Sequence, residues 1–297
     1  MFHRDFSRDL DERADTALVT FIIPVRHPDN AKDWGQLKAR LTQTLESISG
    51  QTHPGWRGLV VANEGADLPP MPDGFSVVPV TFPPNNLHDL GMASEDAILD
   101  AFRFDKGRRV LAGMLAAPES RYFMIVDDDD LLSSRIVDYV SRQPEGSGWY
   151  VAKGYLWNDA GSVFCGVNNF NDLCGSSLII RASLYGIPRR FEEADAEWIK
   201  DMLGSHRRIR SILAGKGATL RPLPFRAAAY RVGSSGSHSK TPGIARLLFF
   251  HRGNLSRPDR FLRSLAKLRR IGPKLSREFF GRPVNDHKGQ TSATSAR

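Results

Sequence analysis

Tyr122-Phe123-Met124-Ile125-Val126-Asp127-Asp128-Asp129-Asp130-Leu131-Leu132 is an apolar run that ends in four consecutive carboxylates and then turns apolar again. Five residues of core type running into a polar cluster are the pattern of an interior strand that reaches the edge of its sheet. Adjacent carboxylates repel one another and lose hydration on burial, so a cluster placed there calls for a cation or a hydrogen-bonding ligand. Hard divalent ions take oxygen ligands and keep positions open for phosphate oxygens. The stretch reads first as a metal and diphosphate site. Its plainer reading is a solvated loop with an aspartate helix cap before Leu131.

Upstream, Val19-Thr20-Phe21-Ile22-Ile23-Pro24-Val25 reads as a buried strand stopped by a proline, and Leu37, Leu41, Leu45 and Ile48 have helical spacing. Gly58 to Ala62 is a second apolar strand, which runs into the turn Asn63-Glu64-Gly65. This β-α-β unit implies parallel strands with a right-handed crossover and ligands at the strands' carboxyl ends. Ser76 to Phe82 reads as a third strand and residues 95 to 117 as a helix, after which Tyr122 to Val126 delivers the aspartates to the same edge. Further on, Trp149 to Leu156 and Ser176 to Ile180 read as strands, Glu193 to Ala214 as mostly helical, and Ala227 to Val232 as a short strand. No repeat of 20 to 50 residues is present.

The 297 residues, 41% apolar, suffice for one large α/β core with a small appendage. Two cysteines, Cys165 and Cys174, are too few for a disulfide framework and lack C-x-x-C spacing, which fits a reducing compartment. The chain opens with Met1 and a polar stretch through Asp15 and has no run of the roughly 18 to 20 apolar residues that a membrane span requires. A cytoplasmic location is the expectation. The net charge of +8 is uneven, because residues 242 to 297 carry thirteen Lys or Arg against three acidic residues. Phe261, Leu262, Leu265 and Leu268 alternate there with Arg260, Arg263, Lys267, Arg269 and Arg270, the pattern of a basic amphipathic helix suited to an anionic membrane surface at the inner face. The remainder is acidic and shows no nucleic-acid-binding module, so no nucleic-acid partner is expected.

A first strand ending in Ile-Pro-Val, Leu45-Glu46-Ser47-Ile48 followed by Gln51-Thr52, a second strand with an acidic turn, the mid-chain aspartates, and Gly217, Leu223-Pro224 and Tyr230-Arg231 near the end together resemble the family 2-like glycosyltransferases of GT-A fold. The resemblance implies an α/β, GT-A-like domain over residues 18–240 with a mostly parallel central sheet flanked by helices. It would be preceded by a polar segment, 1–17, and followed by a basic helical extension, 241–284, and a disordered tail, 285–297. It also implies a nucleotide-sugar donor, most often a UDP-sugar, a divalent Mn²⁺ or Mg²⁺, and a glycan or lipid-linked acceptor. Carried onto this chain, Pro24, Val25, Arg26 and Glu64 would flank the nucleoside. Asp127, Asp128 and Asp129 would form the D-x-D motif, with Asp127 and Asp129 toward metal and His238 adding to the metal shell. Lys106 or Arg109 would reach phosphate, and Asn169, Asp172 and Trp157 would meet the acceptor.

The chain departs from the family where Glu-Asp is usual some eleven residues before the glycine matched to Gly217, because Ser205-His206 stands there. An inverting transfer needs a group to take the acceptor's proton, and an imidazole can do so. His206 is the first candidate, Asp201 the second, with Glu197 one helical turn before it. A haloacid dehalogenase-like phosphatase would carry its Asp-x-Asp on the first strand, and a sugar nucleotidyltransferase would have a Gly-rich basic loop in place of Pro24-Val25-Arg26-His27-Pro28. The competing reading from another class is a catalytically inactive GT-A-like protein that binds carbohydrate or nucleotide.

Overall fold

The computed structural model describes residues 17–85, 94–159, 161–233 and 265–281. Strand β1 (Val19–Pro24) is followed by helix α1 (Trp34–Ser49), β2 (Trp56–Asn63), β3 (Phe75–Val80), helix α2 (Glu95–Leu115) and β4 (Tyr122–Ile125). α1 starts where the Asp33 carboxylate caps the Gln36 amide at 2.9 Å, and it buries Leu37, Leu41, Leu45 and Ile48. β1 is central, paired in parallel with β2 on one side and with β4 on the other. Val19, Phe21 and Ile23 face the α1 side, whereas Ile22 packs with Val110, Leu111 and Met114 of α2. Both faces are therefore covered, and the chain order reverses at β1. That reversal opens a crevice beyond the carboxyl ends of β1 and β4.

The sequence continues as β5 (Leu131–Leu132), α3 (Ile136–Ser141), β6 (Gly148–Tyr150), β7 (Lys153–Asn158), β8 (Val163–Val167), α4 (Phe170–Leu173) and β9 (Leu178–Arg181). A short helix α5 (Ala196–Trp198) runs into a π turn (Ile199–Leu203), then come α6 (His206–Gly215), β10 (Arg221–Pro222), β11 (Arg226–Val232), β12 (Leu268–Arg270) and α7 (Pro273–Phe280). The expected α/β class holds, but two sheets replace the single, mostly parallel one. The first has the order β10-β6-β9-β4-β1-β2-β3, with β9 antiparallel to both β4 and β6. The second has the order β12-β8-β7-β11-β5 and is antiparallel except between β7 and β11.

Three expectations change. The run Trp149–Leu156 is not one strand, because it breaks at Val151-Ala152 and its halves join different sheets. The helical stretch Glu193–Ala214 is interrupted at Gly204-Ser205. A Cβ at Gly204 would lie 2.2 Å from the Arg103 carbonyl, so the close approach of α2 excludes any side chain there. The basic amphipathic helix does not extend through Arg270, since Leu268–Arg270 pairs antiparallel with β8. Its Phe261–Leu262 portion lies outside the described residues. Phe279 and Phe280 of α7 are buried against Tyr155, Trp157 and Phe164, so this part of the expected extension belongs to the core of the second sheet.

Candidate active site at the β1–β4 crevice

The aspartates form a tight turn between β4 and β5, closed by the Asp130 amide donating to the Asp127 carbonyl at 3.2 Å. Asp128 and Asp130 are buried, while Asp127 and Asp129 are partly exposed. The four carboxyls have four different surroundings. Asp127 is ion-paired with Lys106 of α2, and its amide donates to Ser176 Oγ at 2.8 Å. Burial opposes its ionisation, but the Lys106 ammonium prevails and holds the carboxyl below the usual aspartate range, with His206 and Arg26 adding to the effect. Asp128 lies 3.9 Å from the Arg26 guanidinium, and burial raises its pKa despite that cation. Asp129 is pushed up to about 7 by burial and then by the neighbouring Asp128 and Asp127 charges. Asp130 is fully buried and accepts from Ser176 Oγ at 2.5 Å and Cys174 Sγ at 3.0 Å; burial, then the Asp129 charge, raises it well above the usual range.

Asp128 and Asp129 line a cleft of about 100 Å³ together with Arg26 from the end of β1 and Lys32, Gln36 and Arg40 from the start of α1. The cleft joins cations, carboxylates and a helix N-terminus, a combination that suits phosphate oxygens with a counter-ion. Its floor is braced by buried Arg231, which donates to the Asp129 carbonyl at 3.1 Å and to Gln43 Oε1 at 2.7 Å, pairs with Asp159, and lies 4.5 Å over the Trp157 ring. Asp159 also accepts from Arg40 at 3.1 Å, which ties α1, the aspartate turn and β11 into one network. Arg40, Asp159, Gln43 and Lys32 lie outside the motifs that the sequence offers as candidates. Only Lys32 has a local signal beside it, the Asp33 cap of α1.

Of the expected donor residues, Arg26, Asp128 and Asp129 share the cleft. Pro24 is half-buried beside them, and Val25 is buried with its amide bonded to the Val61 carbonyl, so it can offer only backbone. Glu64 is exposed just past the end of β2. Lys106 sits behind the turn with Asp127. Arg109 is buried against Asp105 and Phe82 in the packing of α2. Asn169 is exposed, and exposed Asp172 is held by Arg210 at 3.0 Å and, through its carbonyl, by Arg207. Trp157 is buried beneath Arg231, with its indole N–H spent on the Gly161 carbonyl at 2.7 Å, which places it in the core of the second sheet rather than on a sugar. Glu197 pairs with Lys200, and Asp201 with Arg208.

His206 begins α6 and lines a second, smaller cavity of about 20 Å³ with Lys106 and Gly175. Its Nε2 is buried with no hydrogen-bond partner among the described residues, and burial followed by the Lys106 charge lowers its pKa to about 4, so the ring is neutral at pH 7. His238 lies outside the described residues.

Among the described residues no group of three or more His, Cys, Asp or Glu forms a ready-made metal cage. The donor chemistry nonetheless fits a hard dication. Asp128 and Asp129 converge on an open polar cleft, and their mutual repulsion is what a cation would relieve.

No protein family matches the sequence, and no curated protein matches it either. In three dimensions the chain is similar to TarS 1-349 of S. aureus, with 14% identity, a TM-score of 0.40, and coverage of 72% of this chain and 60% of that one. It is also similar to Rv0371C of Mycobacterium tuberculosis H37Rv, crystallised in complex with manganese, with 12% identity, a TM-score of 0.33, and coverage of 84% and 99%. The chain thus spans about 60% of the length of TarS 1-349. Its architecture is α/β with two mixed sheets, and the strand order and the crevice it creates are what bear on function. Among the described residues no helix is long and apolar enough to cross a membrane.

Proposed function

We propose that this protein is a nucleotide-sugar-dependent glycosyltransferase, transferring a sugar, from a UDP-sugar first among donors, to an acceptor hydroxyl of a surface glycan or lipid-linked glycan. One observation carries the reading: at the carboxyl ends of β1 and β4, Arg26 and Asp128–Asp129 line the same cleft at the point where strand order reverses. Arg26, Lys32 and Arg40 would take phosphate oxygens, and Glu64 at the end of β2 would accept from the nucleoside. Asp129 with Asp128, and Asp127 across the turn, are the carboxylates that would hold Mn²⁺ or Mg²⁺. Such an ion stabilises the negative charge gathering on a departing nucleoside diphosphate. His206 is the proton acceptor in this reading, supported by its neutral ring, its unpartnered Nε2 and its place beside Lys106. Asn169 and Asp172 would meet the acceptor.

The exposed cations Lys267, Arg269, Arg270, Lys274 and Arg277 support the accompanying reading that the C-terminal segment meets an anionic membrane surface. A second functional reading, nucleotide binding without turnover, draws support from two observations. Lys106 already neutralises Asp127, and Glu197 and Asp201 are engaged in ion pairs.

The test is nucleotide release by the full chain from UDP-, GDP- and dTDP-sugars with Mn²⁺ or chelator, beside Asp129→Ala and His206→Ala. Metal-dependent release from one donor, abolished in Asp129→Ala, is the expected result. Metal-dependent nucleotide binding with no release under any acceptor condition would select the second reading, and no binding at all would remove both.

A further inference from the structure

The fourth aspartate is not at the cleft. Asp130 is fully buried, yet one of its carboxyl oxygens, Oδ1, has no hydrogen-bond partner among the described residues. A native chain seldom leaves a buried polar atom unpaired without a reason. The carboxyl is held in place through its other oxygen alone. Asp130 Oδ2 accepts from Ser176 Oγ at 2.5 Å and from Cys174 Sγ at 3.0 Å, and Ser176 Oγ in turn accepts the Asp127 amide at 2.8 Å. The chain Asp127 N–H to Ser176 O–H to Asp130 carboxyl runs in one direction, so each bond polarises the next. It joins the two ends of the aspartate turn through the loop 174–177.

Gly175 lies within that loop. A Cβ there would stand 2.8 Å from Asp127 Oδ2 and 3.0 Å from Lys106 Nζ, so the loop backbone is pressed against the carboxylate it supports. Ser176 and Ser177 are buried, and the Ser177 amide donates to the Gly175 carbonyl at 2.8 Å, which makes the loop a tight turn against the aspartates. Lys106 fixes the Asp127 side chain from α2, while Ser176 fixes its backbone from the loop.

We propose that Asp130, acting through Ser176, is a positioning residue that locks the Asp127–Asp130 turn in the conformation that aims Asp128 and Asp129 into the cleft. The latch itself is a statement about the turn. Its consequence for ligand affinity rests on the metal and donor reading given above, and the two are separable by experiment.

The experiment uses the full chain as wild type, Ser176→Ala, Asp130→Ala and Asp130→Asn, with amide hydrogen exchange at Asp127 as the primary readout and Mn²⁺ titration as the second. Asparagine keeps an oxygen able to accept from Ser176, so it serves as the conservative rescue. The expected result is exchange at Asp127 about tenfold faster in Ser176→Ala and Asp130→Ala, with near wild-type protection in Asp130→Asn. Mn²⁺ affinity should fall in the same order. Unchanged protection in Ser176→Ala, or equal loss in Asp130→Asn and Asp130→Ala, would overturn the latch. Should Asp130→Ala fail to fold, Ser176→Ala alone decides, because it removes only one oxygen. Wild type that fails to bind Mn²⁺ would count against the donor-site reading and leave the latch to be judged by exchange.

Discussion

Replacing Gly175 by alanine should damage the site while sparing the fold. Gly175 is not among the glycines with positive φ, so the backbone accepts alanine, and the cost lies in the new methyl group. That methyl would stand 2.8 Å from Asp127 Oδ2 and 3.0 Å from Lys106 Nζ, whereas ordinary contact begins at 3.4 Å, so the carboxylate must retreat by about 0.6 Å and the ammonium by about 0.4 Å. Both atoms end flexible side chains that remain partly open to water, and loosening such an ion pair costs about 1 kcal/mol or less. For a domain of this size that lowers Tm by no more than about 4 °C. The same displacement at a reacting centre is costlier, since a misplacement near 1 Å can cost about a hundredfold in rate, and 0.6 Å about tenfold. Gly148→Ala is the control. Its methyl would fall 2.0 Å from the Ile179 carbonyl at a φ of +133°, where neither backbone can yield, and a loss of about 3 kcal/mol is expected. Thermal unfolding and nucleotide release, measured on both variants, check the contrast. Wild-type turnover in Gly175→Ala, or a Tm loss matching that of Gly148→Ala, would refute the placement of this loop against Asp127.

Arg231→Met should destabilise by about 2 to 3 kcal/mol in urea unfolding, because the Asp129 carbonyl and Gln43 lose their donor while Asp159 keeps Arg40 and some water. Arg231→Lys should not restore it, since one ammonium cannot span the three acceptors; full rescue by lysine would contradict the network. Phe279→Ala should cost about 3 to 4 kcal/mol by emptying the space against the stacked Tyr155 and Phe164 rings, a loss that a dispensable C-terminal appendage would not show. His206 gives a pH signature. With its folded pKa lowered to about 4 from an ordinary 6.5, the unfolded chain binds the extra proton between these values. Stability from this group is thus complete above about pH 6.5 and is lost as pH falls toward 4, by about 2 kcal/mol once partial exposure is allowed for. His206→Gln should flatten that limb of the stability profile, and an unchanged profile would show that the ring is solvated. Sedimentation with anionic vesicles, weakened by salt and by joint neutralisation of Lys267, Arg269 and Arg270, is the outcome expected of the C-terminal cations. Binding to neutral vesicles alone would remove that assignment.

Buried parallel strands announce themselves because both faces are apolar. Val19–Val25, Gly58–Ala62 and Tyr122–Val126 are continuous core-type runs, and the structure has β1, β2 and β4 there. In the second sheet only β11, read from the sequence at Ala227–Val232, has a comparable run. Phe164 and Cys165 are buried, but Gly166 follows them, and β8 is recognisable only through its partners β7 and β12. Continuity misled at Trp149–Leu156, since an apolar run records burial and cannot record a change of sheet.

The same limit governs the site. Four aspartates in a row look alike as letters, and a sequence cannot say which of them meets a cation. The turn gives Asp127 to Lys106, Asp128 and Asp129 to the cleft, and Asp130 to Ser176. Nor could sequence choose among Lys106, Arg108 and Arg109, which point in different directions around α2 at about 100° per residue. The structure separates them, since Lys106 pairs with Asp127 at the turn while the other two close on Asp105 and Phe82. The Arg40–Asp159–Arg231 triad was beyond local reading for a related reason. Its members stand 119 and 72 residues apart, and nothing near any one of them specifies the others. What sequence conveys is the kind of chemistry gathered at a strand's end. How the four carboxylates are oriented depends on the second sheet and the loop 174–177, the parts of the fold with the weakest local pattern, and so variants at Arg231, Gly175 and Ser176 should weaken the site even though they leave every aspartate in place.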